Sequence, residues 1–526
     1  MNQPSTVETP RASDGPGTKP GDFAYPWLSD QRDGTYCNPV LYADYSDADV
    51  IRVGGDFYLT ASSFNCTPGL PILHSKDLVN WTLIGHALKN LPDVRYDQVQ
   101  PGCGVWAPAI RFHAGKFWIF FPTPDEGIYV VTAEKPAGPW SAPQLLQAGK
   151  GLIDPCPLWD DDGQAYLVHA YAGSRAGIKH QLRVCPMAPD GSRLLGEGRI
   201  VFHQPEKHPT IEGPKFLKKD GWYYILAPAG GVETGWQVVL RSKNIYGPYE
   251  DKVVLAQGDT DINGPHQGAL VDTPDDGWWF LHFQDADVYG RIIHLQPVEW
   301  NDGWPLMGCG GQPVRCHPKP HITPVEPAGA PQTSDEFEAG NLGLQWQWQA
   351  NHRADWYSLA ARPGWLRLYP QASVEPLSLQ PNLLLQKFPA RTFSVETTLE
   401  LSAMQCGEEA GLVVLGKSPL MLGIQHDGTK NHLVLHSNDG QKTIGEHASS
   451  TVKLRAQIHN GGRCTFAYAV DGVFVTIPQN FYARKGVWIG AKVGIYSLKR
   501  VENAPAGYAD FDYFHFLPLA NGNGKK

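Results

Sequence analysis

Glu212-Gly-Pro-Lys-Phe-Leu-Lys-Lys-Asp-Gly-Trp-Tyr-Tyr-Ile225 sets a carboxylate beside a Gly-Pro pair, nine residues before a turn glycine that opens an aromatic run. Gly221 suits a hairpin turn needing positive φ, and Trp-Tyr-Tyr-Ile suits a buried or half-buried strand. The same pattern occurs at Gly55-Asp-Phe-Tyr-Leu59, Gly115-Lys-Phe-Trp-Ile119, Gly163-Gln-Ala-Tyr-Leu167 and Gly277-Trp-Trp-Phe-Leu281. Successive turn glycines lie 60, 48, 58 and 56 residues apart. A unit of about 50 residues and four strands, repeated radially, marks a β-propeller. Five copies predict five blades. Segments 75–81, 133–140 and 242–249 form a second echo and read as outer strands ending in turns.

In a propeller the innermost strand of each blade lines the axis. Reading back from each turn glycine places Asp47, Trp106, Asp154, Glu212 and His266 at equivalent positions. Three of the five are carboxylates. Hydrolysis of a glycosidic bond with inversion needs a protonated acid at the leaving oxygen and a carboxylate that activates water on the opposite face. A third acid raises the proton donor's pKa by like-charge repulsion. The same three residues would also serve a structural ion or hydrogen bonds that close the blades.

Tyr36-Cys-Asn-Pro39, Ser46-Asp-Ala-Asp-Val-Ile-Arg52, Gly104-Val-Trp-Ala-Pro-Ala109, Ile153-Asp-Pro155, Ile211-Glu-Gly-Pro214 and Gly264-Pro-His-Gln-Gly268 together resemble the motif series of glycoside hydrolase family 43, in the family's order. That family comprises β-xylosidases, α-L-arabinofuranosidases and arabinanases on a five-bladed propeller, with inverting chemistry. The resemblance implies Asp47 as general base, Asp154 as pKa modulator and orienter, and Glu212 as general acid. It implies Phe64, Trp106 and Arg291 as walls of a pentose pocket, with His266 near the substrate. Ala48 departs from the family's usual Pro after the base, which bears on stiffness more than on chemistry. The resemblance also implies a structural calcium ion at the axis, held through His266 and waters. The residues themselves read nearly as well as a core histidine bonded to Asp154 or Glu212. No cofactor is expected to be required.

Residues 318–333 are Pro-rich and read as a linker. Beyond them, eight apolar runs (365–369, 393–401, 411–415, 432–436, 452–458, 464–470, 472–477 and 487–496) predict an all-β sandwich. It resembles the concanavalin A-like C-terminal domain of xylosidase-type members, which usually lends a loop to the pocket. The turns at 407–411 and 427–431 are the expected sources, and a separate polysaccharide-binding role is the competing view. The acidic pairs Asp335/Glu336 and Asp510/Asp512 read as solvated strand ends before calcium ligands. The fold class is therefore all-β: a five-bladed propeller over 33–317 and a sandwich over 334–518, with disordered tails at 1–32 and 519–526.

Composition agrees. The 526 residues include 56 Gly, 44 Pro, 17 Trp, 21 Tyr and 20 Phe, and charged residues reach only 18% against about 25% in ordinary domains. The net charge of −9 carries no basic cluster, which argues against nucleic acid and anionic membranes as partners. No apolar run approaches the ~18 residues of a membrane helix. Nine scattered cysteines without a C-x-x-C pair exclude a dense disulfide scaffold or zinc ribbon. Cys309, Cys316, His317 and His321 sit in a Pro-rich stretch that reads as a loop before a metal cluster. No signal peptide is visible, which predicts a cytoplasmic enzyme unless a leader has been removed. The expected function is an inverting exo-glycosidase on xylo- or arabino-oligosaccharides, with β-1,4-xylosidase ahead of α-L-arabinofuranosidase and arabinanase. A homo-oligomer is compatible with this reading. A non-catalytic sugar-binding propeller is the alternative, and the presence of all three acids argues against it.

Overall fold

The computed structural model describes residues 27–322, 329–437, 440–500 and 506–519. Five four-stranded antiparallel sheets follow one another, each with its strands in sequential order. Blade 1 runs from Asp49–Val53 to Thr82–Leu88 and blade 2 from Ala109–His113 to Gln144–Ala148. Blade 3 runs from Leu152–Trp159 to Arg199–His203 and blade 4 from Lys215–Lys219 to Glu250–Ala256. Blade 5 runs from His266–Asp272 to Trp304–Met307.

The repeated glycines all fall between the first and second strands of their blades. At Ala114-Gly115 and Asp220-Gly221 both turn residues have positive φ (48° and 75°, 50° and 70°), the geometry whose twist matches a two-residue hairpin. Blade 1 uses Gly54 at 64° instead, and blade 5 uses Asp276 at 63°. The second echo differs from expectation. The third strands end at Ser75, Ala133 and Ser242 and the fourth begin at Thr82, Gln144 and Glu250, so these segments are the turns between them.

The ring is closed by the chain's early segment. Thr35–Cys37 pairs antiparallel with Cys316–Pro318, and a disulfide joins Cys37 to Cys316. Cys316 is thereby withdrawn from any metal cluster, and the seven other cysteines are free. Val40 donates its N–H to Ile293 O at 2.7 Å, and Asn38 Nδ2 donates to Leu295 O at 2.8 Å. These bonds stitch the segment to the edge of Arg291–Asn301, which the short last strand pairs only from Val298 onward. Residues 1–26 of the expected tail and 520–526 lie outside the described residues. Residues 27–32 are packed rather than loose: the Trp27 ring lies 4.8 Å from Tyr42 and Ser29 is buried.

Two eight-stranded sheets build the sandwich. The expected strands are present near their places. Leu384–Lys387, Pro419–His426 and Gly440–His447 are additional. One expectation fails usefully: the strand read over 487–496 begins only at Lys492, and the residues before it form a loop. Leu366, Phe393, Leu412, Leu422, Leu454 and Phe511, all fully buried, fill the space between the sheets. The same apolar cluster takes in Tyr42, Val288, Tyr289 and Ile292 of the propeller. Thr67 and Trp348 exchange backbone hydrogen bonds at 3.0 and 2.6 Å across the junction. The two domains therefore share one continuous core. Asp510 accepts Arg367 at 2.8 and 2.9 Å, and Asp335 accepts the Phe337 N–H and Trp346 Nε1. Both carboxylates are buried acceptors, not solvated strand ends.

Candidate active site

A pocket of about 510 Å³ opens at one end of the propeller axis, and Asp47, Asp154 and Glu212 all line it. Asp47 and Glu212 stand just before the innermost strands of blades 1 and 4, and Asp154 is the third residue of that of blade 3, at a bulge between Ile153 and Cys156. Sharp backbone turns aim them inward: Asp47, Phe64, Asp154, Thr210 and Gln267 have φ of 57°, 51°, 56°, 53° and 33°. Non-glycine residues rarely occupy that region, and such strain gathers where function requires it.

Asp47 is buried and receives only donors. Arg291 Nη1 lies 2.8 Å from Oδ1, and the Ser46 and Ser62 hydroxyls lie 2.7 and 2.6 Å from Oδ2. This is the environment of a carboxylate fixed as an acceptor. Asp154 is also buried and takes the Gly213 N–H at 2.8 Å. Burial raises its pKa, and the Asp47 charge adds to that. The Gly213 N–H, Lys215 and Arg291 work the other way. Glu212 is pushed up to about 8, first by burial and then by the charges of Asp154 and Asp47, against Arg291 and Lys179. At neutral pH Glu212 therefore holds a proton, while Asp47 faces three donors that fix both of its oxygens as acceptors. Two carboxyls with opposed environments are the arrangement from which acid and base roles are read.

Phe64, Trp106 and Arg291 line the pocket as expected. The Arg291 guanidinium also packs over the Phe283 ring at 4.8 Å. His266 departs from its expected place. It is fully buried behind the wall, with Nε2 3.4 Å from Glu212 Oε1, and makes no hydrogen bond to it. It does not line the pocket. Burial, with Arg291 and His282 nearby, lowers its pKa to about 3, so the ring is neutral. Calcium takes six to eight oxygen ligands. Here a neutral ring nitrogen faces one protonated carboxyl, and no cluster of three or more His, Cys, Asp or Glu suited to a metal occurs among the described residues. These side chains do not by themselves make a calcium cage.

Several contributors escaped the sequence reading. Ser62 holds Asp47, while Lys179, His180 and Gln267 extend the wall. Trp488, from the sandwich, closes one side: its ring centroid is 6.1 Å from that of Trp106, and the Arg291 guanidinium lies 5.7 Å from it. The donating loop is thus the one around Trp488, not the turns at 407–411 or 427–431. Its signal was Gly486-Val-Trp-Ile-Gly490, an indole between glycines just before a strand.

The profile of glycosyl hydrolases family 43 matches residues 36–305. The chain belongs to family 43. In this family 43 hydrolase, residues 334–517 match the β-xylosidase C-terminal concanavalin A-like domain. A Xylanibacter ruminicola protein provisionally named a β-xylosidase is 40% identical over 476 residues, covering 88% of this chain and 86% of its own. A β-xylosidase of Formosa agariphila is 33% identical, covering 93% and 91%. A non-reducing-end α-L-arabinofuranosidase of Bacteroides ovatus is 32% identical, covering 92% and 95%. A crystal structure of a family 43 protein from Bacillus licheniformis superposes with a TM-score of 0.81 at 28% identity, covering 92% of this hydrolase and all of that chain.

Proposed function

We propose that this glycoside hydrolase is an inverting β-xylosidase that removes single pentoses from the non-reducing ends of xylo-oligosaccharides. Glu212 donates its proton to the glycosidic oxygen as the bond breaks. Asp47, anchored by Arg291, Ser46 and Ser62, takes a proton from the water that attacks the anomeric carbon from the opposite face. Asp154, itself raised to about 7, adds negative charge beside Glu212 as it ionises and so keeps Glu212 protonated toward alkaline pH, and it accepts the Gly213 N–H that fixes its orientation. The single observation carrying the reading is that one pocket sets a buried, raised carboxyl at Glu212 against a carboxylate at Asp47 anchored by three donors. A pure binding site has no use for a carboxyl raised to about 8 facing one held by three donors.

Closure of the pocket by Trp488 favours a terminal sugar over the middle of a chain. The names of the Xylanibacter and Formosa relatives favour xylose, while the Bacteroides relative supports α-L-arabinofuranosidase as a second activity. Hydrolysis of p-nitrophenyl β-D-xylopyranoside and α-L-arabinofuranoside, with the first-formed anomer followed by NMR, tests this. The expected initial product from the xyloside is α-xylose. Initial β-xylose overturns inversion, and turnover of neither substrate overturns the pentosidase reading.

A further inference from the structure

Trp488 stands at the tip of a short turn that the Gly486 N–H closes on Ile489 O at 2.8 Å, with Val487 packed against Gly102 of the propeller. It is 46% exposed and has φ of 66°, a left-handed backbone that a bulky residue rarely adopts without strain. Beside it, a second cavity of about 300 Å³ shares Arg291 and Trp488 with the sugar pocket, so the indole has space to swing away. The loop as a whole is fastened to the propeller at its two roots.

The downstream root is tied by backbone. Gly490 donates its N–H to Asp44 Oδ2 at 3.0 Å, and Ala491 donates to Val288 O at 2.7 Å. The other Asp44 oxygen accepts the Arg291 N–H at 2.9 Å, so one buried carboxylate serves both walls. A Cβ on Gly490 would lie 2.7 Å from Gly290 N, which shows how closely this root is pressed to blade 5. The upstream root is tied by charge. Lys485 Nζ lies 3.1 Å from Asp285 Oδ2 and 3.3 Å from Glu233 Oε1, spanning two blades. The Asp285 side chain is 9% exposed and that of Glu233 is 69%, so the shielded Asp285 pair carries most of the attraction.

We infer that Lys485 is a positioning residue of the active site: its ion pair with Asp285 holds the sandwich loop so that Trp488 stands over Arg291 and closes the pocket. Lys485 touches no substrate in this scheme and acts only through Trp488. Loss of the pair leaves the acids untouched and opens the sugar pocket toward the side cavity. Binding then weakens while the chemical step persists.

The test uses the full chain and p-nitrophenyl β-D-xylopyranoside. Lys485→Met is expected to raise KM about three- to tenfold with kcat within about twofold, and Lys485→Arg to restore KM. In a Trp488→Ala background, Lys485→Met is expected to change KM no further, because both act through one contact. Asp285→Asn breaks the pair from the propeller side and should reproduce the effect if Lys485→Met fails to fold. An unchanged KM, a fall in kcat alone, or an equal further rise in the Trp488→Ala background overturns the proposal. The inference rests on the pentosidase reading, which wild-type turnover tests by itself. A Lys485 variant identical to an active wild type counts against the latch alone.

Discussion

Replacing Asp154 with Asn separates the two duties of the middle carboxyl. The amide can still accept the Gly213 N–H, so the side chain keeps its anchor while losing its charge. Glu212 stands at about 8 against an ordinary 4.5. Burial is the largest cause of that rise, with Asp154 next and Asp47 after it. We set the share of the second cause at about one pH unit, or ~1.4 kcal/mol between the two protonation states. The basic limb of kcat/KM, which reports the essential acid of the free enzyme, should therefore fall from about pH 8 to about pH 7.

This has a signature that misfolding or misorientation cannot imitate. With the acid at about 7 instead of about 8, the protonated fraction drops only about 1.1-fold at pH 6, about fivefold at pH 8 and about tenfold at pH 9. Any loss of orientation multiplies all three by one constant. The ratio of wild-type to Asp154→Asn kcat/KM, measured from pH 5.5 to 9 on the nitrophenyl xyloside, should therefore grow toward alkaline pH. A ratio that stays flat, or a basic limb that moves upward, refutes the claim that Asp154 keeps Glu212 protonated.

Glu212→Gln should abolish turnover yet stabilise the fold toward alkaline pH. A carboxyl raised in the folded state is favourable to folding below its unfolded value of 4.5 and increasingly unfavourable as pH climbs through about 8. The Tm gain over wild type should therefore be larger at pH 8 than at pH 5, and a pH-independent difference contradicts it. Arg291→Met removes a charged donor from Asp47 and a wall from the pocket. It should cost about 10- to 100-fold in kcat/KM and lower Tm by leaving the buried Asp47 without its cation, and a loss within about twofold would show that the two serines suffice.

The propeller was readable because each blade repeats a local rule. A left-handed turn needs Gly, or an Asp-Gly pair, at a fixed distance from a strand buried on both faces, and such pairs leave marks at 115, 163 and 221. The acids share that register, so counting back from the turns located Asp47, Asp154 and Glu212. His266 was located by the same count, but the register fixes where a residue stands along the blade and not which side of the wall it faces, and His266 stands behind the wall. The Cys37–Cys316 disulfide, spanning 279 residues, could not be read at all. It follows from where the ring closes, and no local pattern encodes that.

The sandwich was harder to read, for a reason visible in its strands. Gly440–His447 is polar and mostly exposed along its length, so an edge strand there shows no apolar alternation. Val487–Tyr496 erred in the opposite direction. Val487, Trp488 and Ile489 have strand-like side chains, yet only the last part of that run is strand. Exposed Val and Trp in a left-handed loop make no sense for the sandwich alone, where they are a liability. They make sense once Arg291 and Trp106 of the propeller stand opposite. Trp488 is apolar because its partner is a second domain and, in the proposed function, a sugar face. A residue that serves a surface built elsewhere in the chain cannot be assigned from its own segment, and sequence periodicity will keep placing it in the nearest strand.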